Sequence, residues 1–534
     1  MQKDNSYKIV IPSAGLGSRV GPYSKFLNKA LVTIGDLPVI ARVIDKFSDE
    51  IPLIILLGYK GELVEDVVRQ IYPNRKIEFI YVDIYDGPKS SLNYTLLQAK
   101  DHLQCPFIFI PNDTVIGHDI IDKNPNKYGN WAAYYEKKDD DIYNPEIFRT
   151  LELNEELDEV INISSKGTQN KYIYTGICGV RDFEEFWYLM DSKHSNRVGE
   201  VDGLRGLKKV SAIRINNWFD CGSLKNLEEA KKIFKNNDHN ILEKEDEAIW
   251  FKNNEVIKFS INETFISDRV NRLKYLPRSI YPNLINHSKF SFKYEKVEGS
   301  VISDTITPKK IISLLNVCFN EMWSKKGVFG KNEKKICHDF YKIKTYERIQ
   351  HYLKRFEKID GSIIINDEKV PSVEYLLNKI DWEKLINTTH WSIFHGDLHG
   401  ENIISKGFNE FTFLDWRQNF GSENLKFGDA YYDLAKIYHG LLVNHGIVSN
   451  ENYQIKKIAQ NNIFITINLY SNLIDSMKVF EEWMQENNFN HHKVKLLTAL
   501  IFLNISGLHD YPYSEFLFYF GQKHLNEYLI NFNN

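Results

Sequence analysis

Short apolar runs alternate with amphipathic stretches over about the first 230 residues. Four runs have the length and composition of buried strands, and these are YKIVIP (7–12), IPLIILLG (51–58), KIEFIYVD (76–83) and PFIFIPND (106–113). Between them, apolar residues recur every three or four positions, as in GELVEDVVRQIY (61–72), which predicts helices. Strands alternating with helices indicate a mostly parallel sheet with helices on both faces. In such sheets ligands bind at the carboxyl ends of the strands.

The pattern changes at a polar, charged stretch, residues 228–247, which we interpret as a domain boundary. AIWFKNNEVIKFS (248–260) then predicts two strands about a KNN turn. Beyond about residue 308 the periodicity is largely helical, including most of 428–534, apart from a strand-like region at 391–416. We therefore predict an α/β domain at 1–235, a small β-rich lobe at 243–300 and a helical lobe at 301–534.

Composition places the chain among ordinary globular proteins. Its 534 residues carry a net charge of −4, so there is no general basic field for nucleic acid or an anionic membrane. The five cysteines are scattered without a CxxC pair, which favours free thiols in a reducing compartment. No apolar run is long enough to span a bilayer, and the N-terminus lacks a signal-peptide pattern. We expect a soluble cytoplasmic protein without a nucleic-acid partner or membrane insertion, and homo-oligomer formation is left open.

One loop in the C-terminal half has the composition of a phosphoryl-transfer site. HGDLHGENII (395–404) supplies Asp397 and Asn402, and FLDW (413–416) supplies Asp415 at a strand end. Phosphoryl transfer needs a carboxylate near the acceptor hydroxyl and oxygen ligands for Mg²⁺. Asp397 suits the base, and the other two residues suit the metal. The two histidines of the loop are expected to brace it.

The motifs HGDLHGEN and LDW resemble those of the aminoglycoside phosphotransferase and choline kinase group, which has the protein-kinase-like fold. The resemblance covers about residues 245–534. It implies an α+β bilobal domain in which Asp397 is the catalytic base and Asn402 and Asp415 hold Mg²⁺.

The same resemblance implies an ATP site formed with the β-rich lobe. Lys258, on the second strand of the hairpin, would bind ATP phosphates, although a lysine on an edge strand is commonly only solvated. Glu295 and Val297 would lie in a hinge beside the nucleotide base. The helix glutamate that pairs with the lysine in this group has no clear match here, and Glu263 is one candidate.

A second candidate site follows the first predicted strand, in IVIPSAGLGSR (9–19). Consecutive backbone N–H groups in such a glycine loop hold phosphate oxygens. The loop residues concerned are Gly15, Leu16, Gly17 and Ser18. Arg19 adds a fork of donors, and Lys29 follows ten residues later. Asp113 and Asp220 end strand-like segments, and two carboxylates brought together would hold a divalent metal.

These motifs resemble those of the nucleotidylyltransferases that make nucleotide-sugars and CDP-choline-like compounds. GLGSR and NKALV (28–32) match the family's loop and lysine segment, although Asn28 replaces the usual proline. Later matches, in order, are YDGPKSSLNYTLLQAK (85–100), YIYTGICGV (172–180) and WFDCGSLKNLEEA (218–230). The resemblance covers about residues 7–232 and implies a Rossmann-like α/β fold with a mixed sheet of the GT-A type.

It also implies roles in an in-line attack by a substrate phosphate on the α-phosphorus of an NTP. Arg19 and the glycine loop would hold the leaving phosphates, Lys29 would neutralise developing charge, and Asp113 with Asp220 would hold Mg²⁺. The expected nucleotide contacts are Gly87 and Ser90, and the expected acceptor contacts are Thr175 and Gly176.

Together the two halves predict consecutive reactions. ATP would phosphorylate a small hydroxyl compound, and the product would then react with CTP or UTP, with CTP slightly favoured. The nucleotide-activated product would serve a surface polysaccharide, such as a capsule, or a lipid head group. The acceptor stays open, because some motifs favour a choline kinase fused to a phosphocholine cytidylyltransferase and others favour sugar substrates. An alternative is that one domain only binds nucleotide and regulates the other.

Overall fold

A computed structural model describes residues 6–116, 123–139, 141–191, 199–235, 244–421, 426–459 and 461–533. The contacts divide the chain into two compact units. The first comprises Met1–Ile266 and Leu284–Tyr294, and the second comprises Ser267–Asn283 and Glu295–Asn534.

The first unit is an α/β structure. Its strands are β1 (Lys8–Ser13), β2 (Thr33–Ile34), β3 (Leu37–Pro38), β4 (Leu53–Leu57), β5 (Ile77–Tyr81), β6 (Phe107–Phe109), β7 (Thr114–Ile116), β8 (Trp131–Glu136), β9 (Leu151–Leu153), β10 (Val160–Ile163), β11 (Tyr172–Val180), β12 (Ser211–Ile215), β13 (Trp218–Asp220), β14 (Glu247–Lys252), β15 (Glu255–Ser260), β16 (Leu284–His287) and β17 (Ser291–Glu295). The helices up to residue 272 are α1 (Tyr23–Phe26), α2 (Val39–Ile44), α3 (Gly61–Ile71), α4 (Leu92–Leu97), α5 (Pro125–Tyr128), α6 (Phe183–Asp191), α7 (Glu200–Leu204), α8 (Leu224–Ile233) and α9 (Glu263–Arg272).

A seven-stranded sheet forms the centre of this unit, in the order β12-β8-β11-β6-β1-β4-β5. β4, whose sequence is LIILL, is buried along its whole length, as expected for a strand covered on both faces. β1 pairs in parallel with β4 and β6, whereas β11 runs antiparallel to β6 and β8. The sheet is therefore mixed, which confirms the fold that the nucleotidylyltransferase resemblance implies for the N-terminal half.

The predicted hairpin at 248–260 is present as β14 and β15, in a sheet of order β14-β15-β17-β16. This sheet contacts the α/β part of the same unit. The indole of Trp250 donates to the Thr33 hydroxyl over 2.9 Å, and Asp66 accepts from the Ser288 and Ser291 hydroxyls over 2.7 and 3.0 Å. These partly buried contacts agree with the division into units, which groups the described part of the predicted lobe, as far as Tyr294, with the first unit. Residues 236–243 of the predicted boundary lie outside the described ranges.

The second unit is mainly helical. Its strands are β18 (Ser300–Val301), β19 (Ile363–Ile365), β20 (Glu368–Val370), β21 (Trp391–Ile393), β22 (Ile403–Lys406), β23 (Glu410–Phe413), β24 (Phe427–Asp429), β25 (Tyr453–Ala459) and β26 (Asn462–Ile467). Its helices are α10 (Pro308–Cys318), α11 (Lys331–His338), α12 (Lys344–Arg355), α13 (Val373–Lys379), α14 (Trp382–Asn387), α15 (Ala430–Leu442), α16 (His445–Ser449), α17 (Ser471–Glu486), α18 (His491–Ser506) and α19 (Tyr513–Asn533).

The β25–β26 hairpin corrects the prediction of helix through most of 428–534. In β26 the buried residues Ile463 and Ile465 alternate with more exposed positions, and β19 pairs in parallel with this strand. The spacing of two, rather than three or four, is the strand signal. Within the described ranges no helix has both the length and the apolar character needed to cross a bilayer.

Candidate active sites

The glycine loop after β1 lies over the side chain of Lys29. Gly17 has φ 66°, in the left-handed region that glycine adopts without strain. A Cβ placed on Gly17 would lie 3.1 Å from the Lys29 Cβ, so the loop backbone lies against the lysine stem. A Cβ on Gly15 would meet nothing within 4 Å, and Ser18 and Arg19 are exposed, while Leu16 is half-buried. The loop therefore presents an open edge at the end of β1.

Asn28, which replaces the family's proline, fixes the start of the segment that carries Lys29. It is buried, and its amide donates to the Ser13 carbonyl over 2.9 Å and to the Tyr59 carbonyl over 2.7 Å. Its side-chain oxygen accepts from the Ala30 backbone N–H over 3.0 Å, which caps a short 3₁₀ turn at Lys29–Leu31. One amide thus joins the ends of two strands of the sheet to the lysine segment.

We expect Asn28→Ala to destabilise the first unit by about 1–3 kcal/mol, because the buried Ser13 carbonyl and the half-buried Tyr59 carbonyl lose a donor. Nucleotidyl transfer should fall as well, since Lys29 loses its support, and phosphorylation in the second unit should not change. Urea unfolding and initial rates check both expectations. Asn74→Ala, at an exposed position, is the control. Unchanged stability and rate would show that the Asn28 amide does not support the site.

Four charged side chains converge beside Gly222. The Lys29 ammonium lies 2.7 Å from Asp113 Oδ2. A Cβ placed on Gly222 would lie 2.8 Å from Asp113 Oδ2, 3.1 Å from Asp220 Oδ1 and 3.2 Å from an Arg19 guanidinium nitrogen. The structure thus brings Arg19, Lys29, Asp113 and Asp220 to one place at the carboxyl edge of the sheet.

The two carboxylates have opposite pKa shifts. Burial raises the pKa of Asp220, and the nearby Asp113 raises it further. Burial also acts to raise the pKa of Asp113, but Lys29 and Arg19 outweigh it and lower that pKa below its usual value. Two carboxylates near one point are a donor set that fits Mg²⁺. The described residues contain no group of three or more acidic, histidine or cysteine ligands, so nucleotide phosphates and water would complete the coordination.

The predicted nucleotide and acceptor contacts have different surroundings. Gly87 is exposed with φ 79°, and its carbonyl accepts from the Ser90 backbone N–H over 3.0 Å in a turn before α4. The Thr175 hydroxyl is buried and donates over 3.0 Å to a carbonyl of β8. Gly176 has φ 82°, and a Cβ there would lie 2.8 Å from Pro111, two residues before Asp113.

Two neighbours of this site were missed in the sequence. The Asn226 amide donates to Asp220 Oδ2 over 2.5 Å, and Asn226 lies in the motif at 218–230, where the first turn of α8 follows β13. Lys166 lies in a loop without any motif, which explains why no sequence signal identified it. Burial, with Arg19 and Arg149 nearby, lowers the pKa of Lys166.

Glu200, at the start of α7, is a buried acid of the first unit, and only 6% of it is exposed. Burial raises its pKa from 4.5 to about 7. The folded state therefore keeps this proton at pH values where the unfolded chain has lost it. The contribution of protonated Glu200 to the stability of the folded state is complete below about pH 4.5 and is lost as the pH rises to about 7.

In the unaltered protein, the Glu200 carboxyl group should lower the stability by about 3 kcal/mol between pH 4.5 and 7, since its pKa differs by 2.5 between the unfolded and folded states. We expect Glu200→Gln to remove this loss. Hydrogen exchange of the amides in β11 and α7, corrected for intrinsic rates, measures it. Glu184→Gln, at an exposed position of α6, is the control. An equal loss in the Glu200 variant and the unaltered protein would assign the effect to other groups.

In the second unit, Asp433 anchors the loop that carries Asp397. Its carboxylate accepts from the backbone N–H groups of His395 and Gly396 over 2.7 and 2.6 Å. Gly396 has φ 91°, and a Cβ there would lie 2.6 Å from the Arg417 Cβ. The backbone turn before Asp397 therefore requires glycine and lies against the segment after Asp415.

His395 braces this loop. Its Nε2 lies 2.9 Å from the Leu414 carbonyl, and its Nδ1 accepts from the Asp397 backbone N–H over 3.1 Å. Burial lowers the pKa of His395 to about 3, so the ring is neutral. Arg272 is fully buried and donates to the carbonyls of Phe394, His395 and Arg417.

The Asp397 carboxylate has different neighbours at its two oxygens. Oδ1 lies 2.7 Å from the Lys436 ammonium, and Oδ2 lies 3.5 Å from the Asn402 amide and 3.7 Å from His399 Nε2. Burial acts to raise the pKa of Asp397, but Lys436 and His399 outweigh it and hold that pKa well below its usual value. Burial acts to lower the pKa of His399, but Asp397 and Glu401, which both contact the ring, outweigh burial and raise that pKa to about 9.

Asp415 and Asn402 are neighbours because the Leu414 N–H donates to the Asn402 carbonyl over 2.8 Å. Asp415 has φ 55°, a strained value for a residue with a side chain. Its carboxylate forms an ion pair with Arg269, whose carbonyl accepts from the Trp416 indole over 2.9 Å.

The residues predicted to contact ATP lie on or beside the strands β15 and β17 and at the start of α9. Lys258 lies on β15 opposite Ile249 and is 8% exposed. Glu295 is the exposed last residue of β17, and Val297 is half-buried beyond it. Glu263 begins α9 and forms an ion pair with Lys289 over 3.5 Å.

Comparisons with known proteins match the N-terminal half. No protein-family model matches the chain. Over 227 residues, 40% of this chain, it is 27% identical to the bifunctional protein GlmU of Methanococcus vannielii and covers 51% of that protein. A GlmU of Methanococcus maripaludis is 28% identical over 206 residues, which are 38% of this chain and 46% of that protein. The chain thus spans about half the length of the curated relatives it matches.

Solved structures align with a similar share of the chain. A UDP-glucose pyrophosphorylase from Acinetobacter baumannii aligns with 43% of this chain and 93% of its own, at 19% identity and a TM-score of 0.36. The CTP:phosphocholine cytidylyltransferase of Streptococcus pneumoniae aligns with 43% of this chain and all of its own, at 17% identity and a TM-score of 0.35. These similarities concern the N-terminal half, and neither of the two GlmU relatives is matched over more than about half of its own length.

Proposed function

We propose that the protein is a bifunctional enzyme. The second unit phosphorylates a small hydroxyl compound with ATP, and the first unit transfers CMP or UMP from CTP or UTP to the phosphorylated product. The final product is a nucleotide-activated building block for a surface polysaccharide or a lipid head group. Both reactions use Mg²⁺.

The observation that carries the proposal is the convergence of Arg19, Lys29, Asp113 and Asp220 beside Gly222. Two carboxylates suit a metal on the NTP phosphates, and the two cations suit the leaving pyrophosphate and the charge that develops at the α-phosphorus. When bound, Mg²⁺ would neutralise phosphate charge. The chain's own cations would orient the NTP over the glycine loop.

In the second unit, Asp397 is held ionised and would accept a proton from a hydroxyl group. Asn402 and Asp415 would hold Mg²⁺ through their side-chain oxygens, and the metal would neutralise phosphate charge. Glu295 and Val297 would line the base site. Gly87 and Ser90 would contact the NTP of the first reaction, and Thr175 and Gly176 would contact its acceptor.

The test incubates the full chain with ATP, CTP or UTP, Mg²⁺ and a panel of sugars, polyols and amino alcohols, and measures ADP and pyrophosphate separately. We expect pyrophosphate to appear only with an acceptor that first gives ADP. Pyrophosphate without ADP formation would instead support the alternative in which the kinase-like unit only regulates the first. ADP formation whose product never supports pyrophosphate release would indicate two unlinked activities.

A further inference from the structure

The side of Asp397 that carries Lys436 is lined by positively charged side chains. Lys436 lies one turn after Tyr432 on α15, so both side chains share a helix face. The Lys344 ammonium lies 4.1 Å from the Phe340 ring centre and 5.8 Å from that of Tyr432. The Arg417 guanidinium lies 5.0 Å from the same Phe340 ring. Two cations from different segments therefore share one aromatic ring beside the Asp397 loop.

A further cation, Arg348, follows Lys344 by one turn of α12 and shares its helix face. In the described part of the chain, no acidic side chain forms an ion pair with Lys344, Arg348 or Arg417. Burial and the neighbouring Arg417, Arg348 and Lys436 lower the pKa of Lys344 well below its usual value, and Asp397 opposes this. Clustered cations repel one another unless an anion joins them.

Lys436, whose charge influences Lys344, and Asn402, one of the expected metal ligands, lie at different oxygens of Asp397. Asn402 faces Oδ2, and Lys436 faces Oδ1. The ATP phosphates belong beside Asn402, where the metal would be held. The cations therefore border the acceptor.

We propose that the hydroxyl compound phosphorylated at Asp397 also carries a negative group, a carboxylate or a phosphate monoester, which Lys344, Arg348 and Arg417 bind. This inference rests on the proposed kinase function. The acceptor oxygen attacks the γ-phosphorus of ATP, its proton passes to Asp397, and the bond from the γ-phosphorus to the bridging oxygen breaks to release ADP. The binding of an anion at the cationic side excludes choline and other cationic amino alcohols as preferred acceptors.

Matched acceptors test the charge preference. Glycerate, glycerol and 3-amino-1,2-propanediol share one framework with charges of −1, 0 and +1, as do glucuronate, glucose and glucosamine. Glucose 6-phosphate, compared with glucuronate, shows whether the site prefers a phosphate or a carboxylate. We expect an anionic member to have a KM for ADP formation at least about 10-fold below its neutral counterpart. Preference for a neutral or cationic member would overturn the inference.

Substitutions then assign the preference to the named side chains. Lys344→Gln and Arg417→Gln should raise the KM for the anionic acceptor about 10-fold and leave the KM for ATP unchanged. Lys354→Gln, on the exposed face of α12, is the matched control. A raised KM for ATP with an unchanged acceptor KM would assign the cations to the nucleotide and reject the inference. Lys344→Met, which keeps the stem on Phe340, distinguishes lost charge from lost packing.

Binding to the Asp397→Asn protein separates this inference from the kinase assignment. If no acceptor gives ADP but calorimetry shows that the anionic members bind and that Lys344→Gln removes the binding, the kinase function fails and the anion site stands. If ADP forms and no anionic member binds more tightly than its neutral counterpart, the anion site fails and the kinase stands. If no ADP forms and no anion preference is found, both fail.

Discussion

Pyrophosphate release should fall about 10²- to 10³-fold when Lys29 is replaced by methionine, the loss that follows removal of one charge-stabilising group from an active site. The Lys29 ammonium lies 2.7 Å from Asp113 and beside Arg19 and Asp220, where the NTP phosphates would lie. Methionine keeps a stem of similar length beneath Gly17, so the loop should stay packed. Initial rates with a supplied phosphorylated acceptor measure the effect.

The same substitution should leave ADP formation unchanged, because Lys29 belongs to the first unit. Lys25→Met is the matched control, since this lysine is exposed four residues earlier. The pKa of Asp113 should also rise, because Lys29 is the larger of the two cationic influences that lower it. A pyrophosphate rate within about threefold of the unaltered protein would remove Lys29 from the catalytic group.

The sequence predicted the elements with strong periodicity and the motifs that follow them. The buried β4 and the amphipathic α3 were recognised, because their residue spacing reflects the face each one buries. Asp113 and Asp220 were predicted because they end strand-like segments, and strand ends of a sheet meet at one edge. Arg19 was predicted from the glycine loop after the first strand, and Lys29 from its spacing of ten residues after Arg19.

Other features depend on contacts between distant segments, which spacing does not record. Asn28 was seen only as a departure from the family's proline, and its bonds to Ser13 and Tyr59 emerged with the fold. The grouping of β14–β17 with the first unit depends on contacts such as that of Trp250 with Thr33. The cations near Asp397 come from α12, α15 and the segment after β23, and no motif links them.

Asp397→Asn should lower ADP formation about 10²- to 10⁴-fold, the usual contribution of a general base, while pyrophosphate release from a supplied phosphorylated acceptor continues. Asparagine keeps the shape of the side chain but cannot take the hydroxyl proton. Asp475→Asn, exposed on α17, is the matched control. ADP formation that survives the Asp397 substitution would remove this residue from catalysis.

Combining the two variants tests whether the reactions are consecutive. Lys29→Met protein can make the phosphorylated intermediate, and Asp397→Asn protein can consume it, so a mixture should regain pyrophosphate release that neither gives alone from the unphosphorylated acceptor. Because the intermediate must diffuse between molecules, the regained rate should rise with protein concentration, whereas the unaltered chain benefits from the effective concentration of its own second site. No recovery, with each variant active in its own half-reaction, would show that the intermediate is not released or is not the substrate of the first unit.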